Sequence, residues 1–273
     1  MSFQPVLPLD GYAGWRFLQK TLPAQSAAHA NTAVAQRDEA YVRDNIAGIT
    51  TAQELVADRR MLRVALTAYG LAEDLPNRAF IEKVLESSTS DDGSFVNRLT
   101  DTRYLNLAKG FGFGDSVIPQ TLFPSFADDM IEKFQSRSFE EAVGAQDENM
   151  RIALALKRDL SALSDQSSTD TTKWYTVLGT PSLRTVFETA FLLPSSFGAL
   201  DIDRQLQILQ NRTEQLTGDA TIAQFSDPER IDALTQRFLL AGQIQAIQAQ
   251  SGGSSALTLL QIGQSSLNSM LGR

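Results

Sequence analysis

Few residues of this chain can carry chemistry, and most reactive constellations fail on residue type before spacing is considered. Among 273 residues there is no Cys and a single His, His29. Disulfides, thiolate metal sites and cysteine nucleophiles are therefore excluded, as is any metal site built on paired imidazoles. His29 sits among small residues in SAAHANTA, the setting expected of an exposed helical His rather than a base. No Ser lies three residues before a Lys, and no G-x-S-x-G is present. GFGFG at 110–114 has the glycine content of a phosphate loop. It lacks the preceding strand and the lysine motif that would aim backbone N–H groups at phosphate. Its glycines suit an irregular crossing that turns Phe111 and Phe113 inward. Asp91-Asp92-Gly93 opens like a calcium loop, but position 99, where a bidentate Glu is needed, is Leu. A cap and turn is the expected role.

Glu86-Ser87 matches the Glu-Ser pair of lytic transglycosylases, yet VLESSTSD does not continue the pattern or frame a cleft for a general acid. An enzyme acting on cell-wall glycan through Glu86 or Glu82 is thus the weakest of three functional readings. No catalytic, cofactor-binding or metal-binding residue is assigned, and no cofactor is expected.

The elements that must position any site are helices. Thr51 with Glu54, Ser138 with Glu141 and Ser226 with Glu229 have capping-box spacing. Asp58 and Asp101 can cap the segments after them, Thr180-Pro181 places a cap before Pro at a first helical position, and Gly70 can end a helix over 59–69 in a left-handed conformation. Apolar residues keep helical spacing in Met61/Val64/Leu66/Ala68, Phe80/Ile81/Val84/Leu85 and Ile231/Leu234/Phe238/Ala241. Ile152, Leu154, Leu156, Leu160 and Leu163 extend a long helix begun near Ser138. No period-two run bounded by hairpin turns is found, although a small hairpin between 110 and 125 would escape this reading. The fold class is all-α. Gly110–Pro124 is the best internal boundary, SDQSSTDTT at 164–172 is a second loop, and SGGSS at 251–255 detaches the last helix.

Residues 55–71 align with 177–193 without a gap, and Val96 to Phe111 meet Ile222 to Phe238 with one inserted residue. Helical periodicity alone creates some of these matches, so a true duplication and a coincidence both stay open. The duplication predicts two similar helical lobes joined by a long helix over 138–164. The resulting division is an N-terminal segment (1–34), a first lobe (35–115), a connection with the linking helix (116–173), a second lobe (174–250) and an uncharged C-terminal helix (251–273).

From Phe238 to Gly272 there are 35 positions without a charge. A solvated helix normally carries charges outward. Leu257, Leu260, Leu267, Met270 and Leu271 hold coiled-coil-like spacing. The helix can pack on its own domain, or on a partner or second copy, and a flexible tail is the remaining reading. At the other end Trp15, Phe17 and Leu18 form an apolar cluster, either core cover or a docking anchor. These termini are the candidate interaction residues. A net charge of -8 argues against phosphate-backbone binding, and no apolar run is long enough to cross a membrane. Without a recognisable secretion signal, the expected place is the cytoplasm, or outside by a route needing no cleaved signal.

AYVRDNIAGITTAQELVADRRMLRVALTAYGL and FIEKVLESSTSDDGSFVNRLTDTRYLNLAKGFGFG, followed by YTVLGTPSLRTVFETAFLLP, DIDRQLQIL and Arg237-Phe238, resemble a domain-of-unknown-function family, number twelve-seventeen, found mostly in alphaproteobacteria. The likeness covers about 35–240 and is looser at RIALALKRDLSAL. Genes of this family often stand beside flagellar genes, and the resemblance brings no catalytic residues. It implies a non-enzymatic helical interaction protein, a flagellum-associated structural or assembly factor. Its partners would be flagellar components or a second copy through the C-terminal helix. A cytoplasmic chaperone or regulator of flagellar export is the alternative.

Overall fold

The computed structural model describes the backbone of residues 3–271 and the side chains of residues 3–249. The helices are α1 (Gly11–Ala30), α2 (Ala33–Asn45), α3 (Ala52–Ala57), α4 (Arg59–Ala68), α5 (Arg78–Leu85), α6 (Thr102–Phe111), α7 (Phe126–Gly144), α8 (Glu148–Ser164), α9 (Asp170–Gly179), α10 (Pro181–Ala190), α11 (Ile202–Thr217) and α12 (Pro228–Leu271). Short 3-10 turns connect them, and no strand occurs among the described residues. The chain is all-α, as its periodicity requires.

Local chemistry sets most helix starts. Thr51 and Glu54 form a reciprocal capping box on α3. The Asp58 carboxylate accepts from the Arg60 and Met61 N–H groups, and Asp101 accepts from Arg103. Each satisfies donors that have no partner inside the helix. Two expected boxes do not form. Ser138 lies in the middle of α7, where its hydroxyl donates to the Gln135 carbonyl. At α12 the cap is Asp227, which accepts from the Glu229 N–H, while Ser226 belongs to the preceding turn.

The linking helix is also two helices. α7 stops at Gly144, and Asp147 caps α8 by accepting from the Met150 N–H at 3.1 Å. The Asp-Glu pair at 147–148 is a helix-start signal that outweighs the continuous apolar spacing. The expected break at 251–255 is absent from the backbone, which stays helical through to Leu271. The loop at 164–172 shortens to 165–169.

Apolar burial divides into two cores. The first is built on α2 to α6 with Met130, Ile131 and Phe134 of α7. The second is built on α8 to α12 with Phe139 and Val143 of α7 and Trp15 and Leu18 of α1. α7 thus serves both cores from successive turns. Trp174 is fully buried in the second core and donates its indole N–H to the Ala220 carbonyl at 2.9 Å. A fully buried Leu in either core, such as Leu62 or Leu209, contributes about 1.5–3 kcal/mol.

The repeat is visible in the backbone. Each copy runs as a helix, a ten-residue helix, a 3-10 turn, a helix, a 3-10 turn and a helix: α3, α4, α5, α6 and then α9, α10, α11, α12. α4 closes with Tyr69 at φ -101° and α10 with Phe191 at φ -94°. The next residue is left-handed in both, Gly70 at φ +72° and Leu192 at φ +52°. The N–H of Leu71 then reaches back to Leu66, and that of Leu193 to Glu188, in the same closing pattern. Asp101 and Asp227 cap the final helix of each copy. Gly112, left-handed at φ +69°, stops α6 one residue after Phe111. The counterpart of Phe111 is Phe238, which is followed by Leu239, and α12 continues.

Candidate functional site

A crevice of about 600 Å³ lies between the lobes. Gly70 and Arg103 form one wall, Thr180 and Leu183 the other, and α7 and α8 supply its charged floor. Glu140 is the centre of that floor, with its side chain 7% exposed. It pairs with Arg158 and, at 3.7 Å, with Arg137. Asp159 lies 3.5 Å from Arg137 and 3.0 Å from Arg158. Burial opposes the charge on both guanidiniums. For Arg158 the Asp159 and Glu140 carboxylates outweigh it and raise the pKa. For Arg137 burial wins and the pKa falls. On the first-lobe wall Arg103 forms a separate cluster, pairing with Asp101 at 2.7 Å and Glu73 at 3.0 Å while donating to the Gly70 carbonyl just after α4. The Glu140–Arg158 and Arg137–Asp159 pairs tie α7 to α8, while the pairs of Arg103 lie within the first lobe. Sequence reading missed this site. Its only sequence sign is the preference for Arg, with six Lys among 24 basic residues.

His29 is not an exposed helical residue. Its ring is half-buried between Phe3 and Phe139, at 5.5 and 5.9 Å, and Nε2 lies 3.0 Å from Ser138 Oγ. A hydroxyl beside an imidazole is the first half of a nucleophile dyad, but the second half is missing. Nδ1 is buried without a partner, so no carboxylate orients the ring. Burial also lowers the imidazole pKa, which keeps the ring neutral. Ser138 donates to Gln135, so His29 is assigned as the Nε2–H tautomer donating to Ser138.

The glycine-rich stretch is tied down rather than open. Asp115 accepts from Ser88 Oγ at 2.6 Å and from the Thr89 N–H at 2.9 Å, and these bonds pull its pKa down to about 2. Phe111 and Phe113 turn inward 5.4 Å apart, and Asp91 closes its turn by accepting from the Gly93 N–H. Glu86 is exposed at the end of α5, outside the crevice. Among the described residues no cluster of acidic residues and His is placed to hold a metal ion.

The terminal candidates separate. Trp15 is 7% exposed and lies in the second core with Leu18, so it covers the core and offers no docking anchor. Phe17 is half-buried beside them. The segment before α1 is held by Gln25, which accepts from the Val6 N–H at 2.7 Å and donates to the Val6 carbonyl at 3.2 Å. Leu257, Leu260, Leu267, Met270 and Leu271 lie outside the described side chains. α12 carries them on a continuous helical backbone, and each described residue from Ile244 to Ala249 is exposed.

Fold and crevice together define a two-lobed all-helical scaffold with paired charges of α7 and α8 on the floor between the lobes. The chain belongs to the DUF1217 family, a protein family of unknown function, whose model matches residues 68–231. It is similar to the X-ray crystal structure of protein AGR_C_984 from Agrobacterium tumefaciens, at 24% identity and a TM-score of 0.72, over 89% of this chain and 99% of that one. At that identity the likeness is one of fold. No curated protein sequence matches the chain. No helix among the described residues is long and apolar enough to cross a membrane.

Proposed function

We propose that this chain is a non-enzymatic helical interaction protein, acting as a structural or assembly factor associated with the flagellum. The observation that carries the reading is α12. Its first turns are anchored in the second core by Ile231, Leu234 and Phe238. From Ile244 to Ala249 its described residues are exposed, and no charge follows through to Gly272. A helix that is neutral all round solvates poorly and is stabilised by a covering surface. The two-lobed body is a rigid mount for it. The flagellar context comes from the gene neighbourhoods of the family the sequence resembles.

The test is fractionation of the native organism combined with deletion of 251–273. Basal-body or flagellar association lost on deletion, with the helical circular dichroism of the body retained, is the expected result. Confinement to the cytoplasm would replace this reading by that of an export chaperone or regulator. Unchanged association of the truncated chain would remove the role of α12.

A further inference from the structure

The second lobe carries an open apolar groove of about 570 Å³. Phe225 and Leu234 are buried in its floor. Its rims are exposed: Leu192 by 50%, Leu216 by 44%, Leu240 by 42% and Ile244 by 46%. Isolated exposed leucines are ordinary, but four around one groove mark a contact surface. Among the described residues, the charged groups lining it are Arg230 and Arg237. Both are satisfied by neutral acceptors, Arg230 by Gln224 Oε1 at 2.6 Å and Arg237 by the Ala190 carbonyl at 2.8 Å.

The repeat shows what kind of element fits. Phe191, Arg230, Ala233 and Arg237 are the counterparts of Tyr69, Arg103, Asn106 and Gly110, which line a cavity in the first lobe. There α7 and α8 of the same chain supply the facing wall. Lys133 of α7 lies 5.2 Å over the Tyr69 ring, and burial, with Asp129 nearby, pushes the Tyr69 phenol up to about 12. In the second lobe only α10, α11, α12 and the turn before α12 line the equivalent groove. The missing element is a helix.

We propose that the groove takes the uncharged end of α12, residues 250–271, from a second copy, so that the chain assembles head to tail. This rests on the reading of α12 as an interaction element and names its partner. The same copy cannot supply the segment, because α12 is one wall of the groove and runs unbroken away from it to Leu271. The length suffices: 22 helical residues span about 33 Å, against about 21 Å from Arg230 to Ile244. The charge also fits. The chain has a net charge of -8, and 238–272 is the long stretch that brings no carboxylate to a second copy.

At about 100° per residue, Leu257, Leu260, Leu267 and Leu271 fall on nearly the opposite side of α12 from Leu240 and Ile244. Two copies therefore cannot exchange ends about a two-fold axis with both faces satisfied. Each end must find a different neighbour, which makes the contact heterologous and lets it propagate.

The test is sedimentation and light scattering of four full-length samples: wild type, a groove variant (Leu240→Asp with Ile244→Asp), an end variant (Leu260→Asp with Leu267→Asp), and the two variants mixed. Wild type is expected to grow past a dimer as concentration rises, without weakening in high salt. Each variant alone is expected to be a monomer. Their mixture pairs the live end of one with the live groove of the other, so it gives a one-to-one complex that does not extend. A monomeric wild type, an association that stops at two, an end variant that associates like wild type, or a monomeric mixture each overturns the proposal. If the groove variant loses its helical signal, Leu216→Asp on α11 replaces it. A wild type that is monomeric alone yet reaches the flagellum through 251–273 refutes self-docking and leaves the broader function standing.

Discussion

Replacing Glu140 by Gln keeps the volume and one acceptor of the side chain and removes its charge. Glu140 is 7% exposed and serves Arg137 and Arg158 together. Removing one partner of a buried ion pair costs about 3–5 kcal/mol, because the remaining charge is left uncompensated in a poorly solvated place. Asp159 still faces both guanidiniums, at 3.5 and 3.0 Å, and holds part of that back. The Arg158 and Arg137 side chains are also 37% and 21% exposed, so the expected loss falls below that range, to about 2 kcal/mol. Glu140→Ala, which also gives up the hydrogen bonds, is expected to lose about 1 kcal/mol more. Equilibrium urea unfolding reads the difference as a lower midpoint at unchanged slope. Raising the salt is not expected to erase it, since screening acts weakly on buried pairs. Pairing Arg137→Met with Glu140→Leu is expected to recover much of the loss, because an apolar pair of similar volume avoids the desolvation cost. A Gln variant within about 1 kcal/mol of wild type would place this network with exposed salt bridges and refute its role in holding α7 to α8.

Other outcomes follow from single residues. Gly70→Ala is expected to cost about 1–2 kcal/mol from its left-handed backbone. The Arg137 guanidinium, 3.3 Å from the new carbon, adds to this, whereas Gly218→Ala at φ +77° meets nothing and shows the backbone part alone. Comparing their urea midpoints isolates the crowding. Thr180→Val removes a buried hydroxyl that has no partner, so stability is expected to stay level or rise by up to about 1 kcal/mol; a clear loss in thermal melts would show that the hydroxyl is satisfied. His29 is the only His, so its ring titration can be followed directly by NMR and is expected below the ordinary 6.5. A folded-state pKa below the unfolded one means that the unfolded chain binds more protons, so this stability is present above about pH 6.5 and is lost as pH falls through the interval beneath it. His29→Phe is expected to flatten that part of the pH profile.

The local register of this protein is written in the sequence. Thr51-Glu54, Asp58, Asp101 and Gly70 act within three or four residues of themselves, so their capping roles and the helices they bound follow from spacing. The repeat is legible for the same reason: 55–71 and 177–193 encode one backbone path, down to a left-handed residue that is Gly in one copy and Leu in the other. The family and the all-α class come from ordered blocks of such local signals.

Tertiary structure decided the rest. Ser138 has capping spacing with Glu141, yet packing places it mid-helix against His29, over a hundred residues away. The sequence favours core cover over a docking anchor for Trp15, and the second core encloses it. The charged network joins Arg137, Glu140, Arg158 and Asp159, and no single window of helical period pairs all four. The groove beside α12 lacks the facing helices that α7 and α8 supply to the matching cavity of the first lobe. Helix caps are settled by hydrogen bonds a turn apart, which spacing reveals. Which charges meet, and which apolar faces stay open, depends on contacts between distant segments, and those form only when the lobes close on each other.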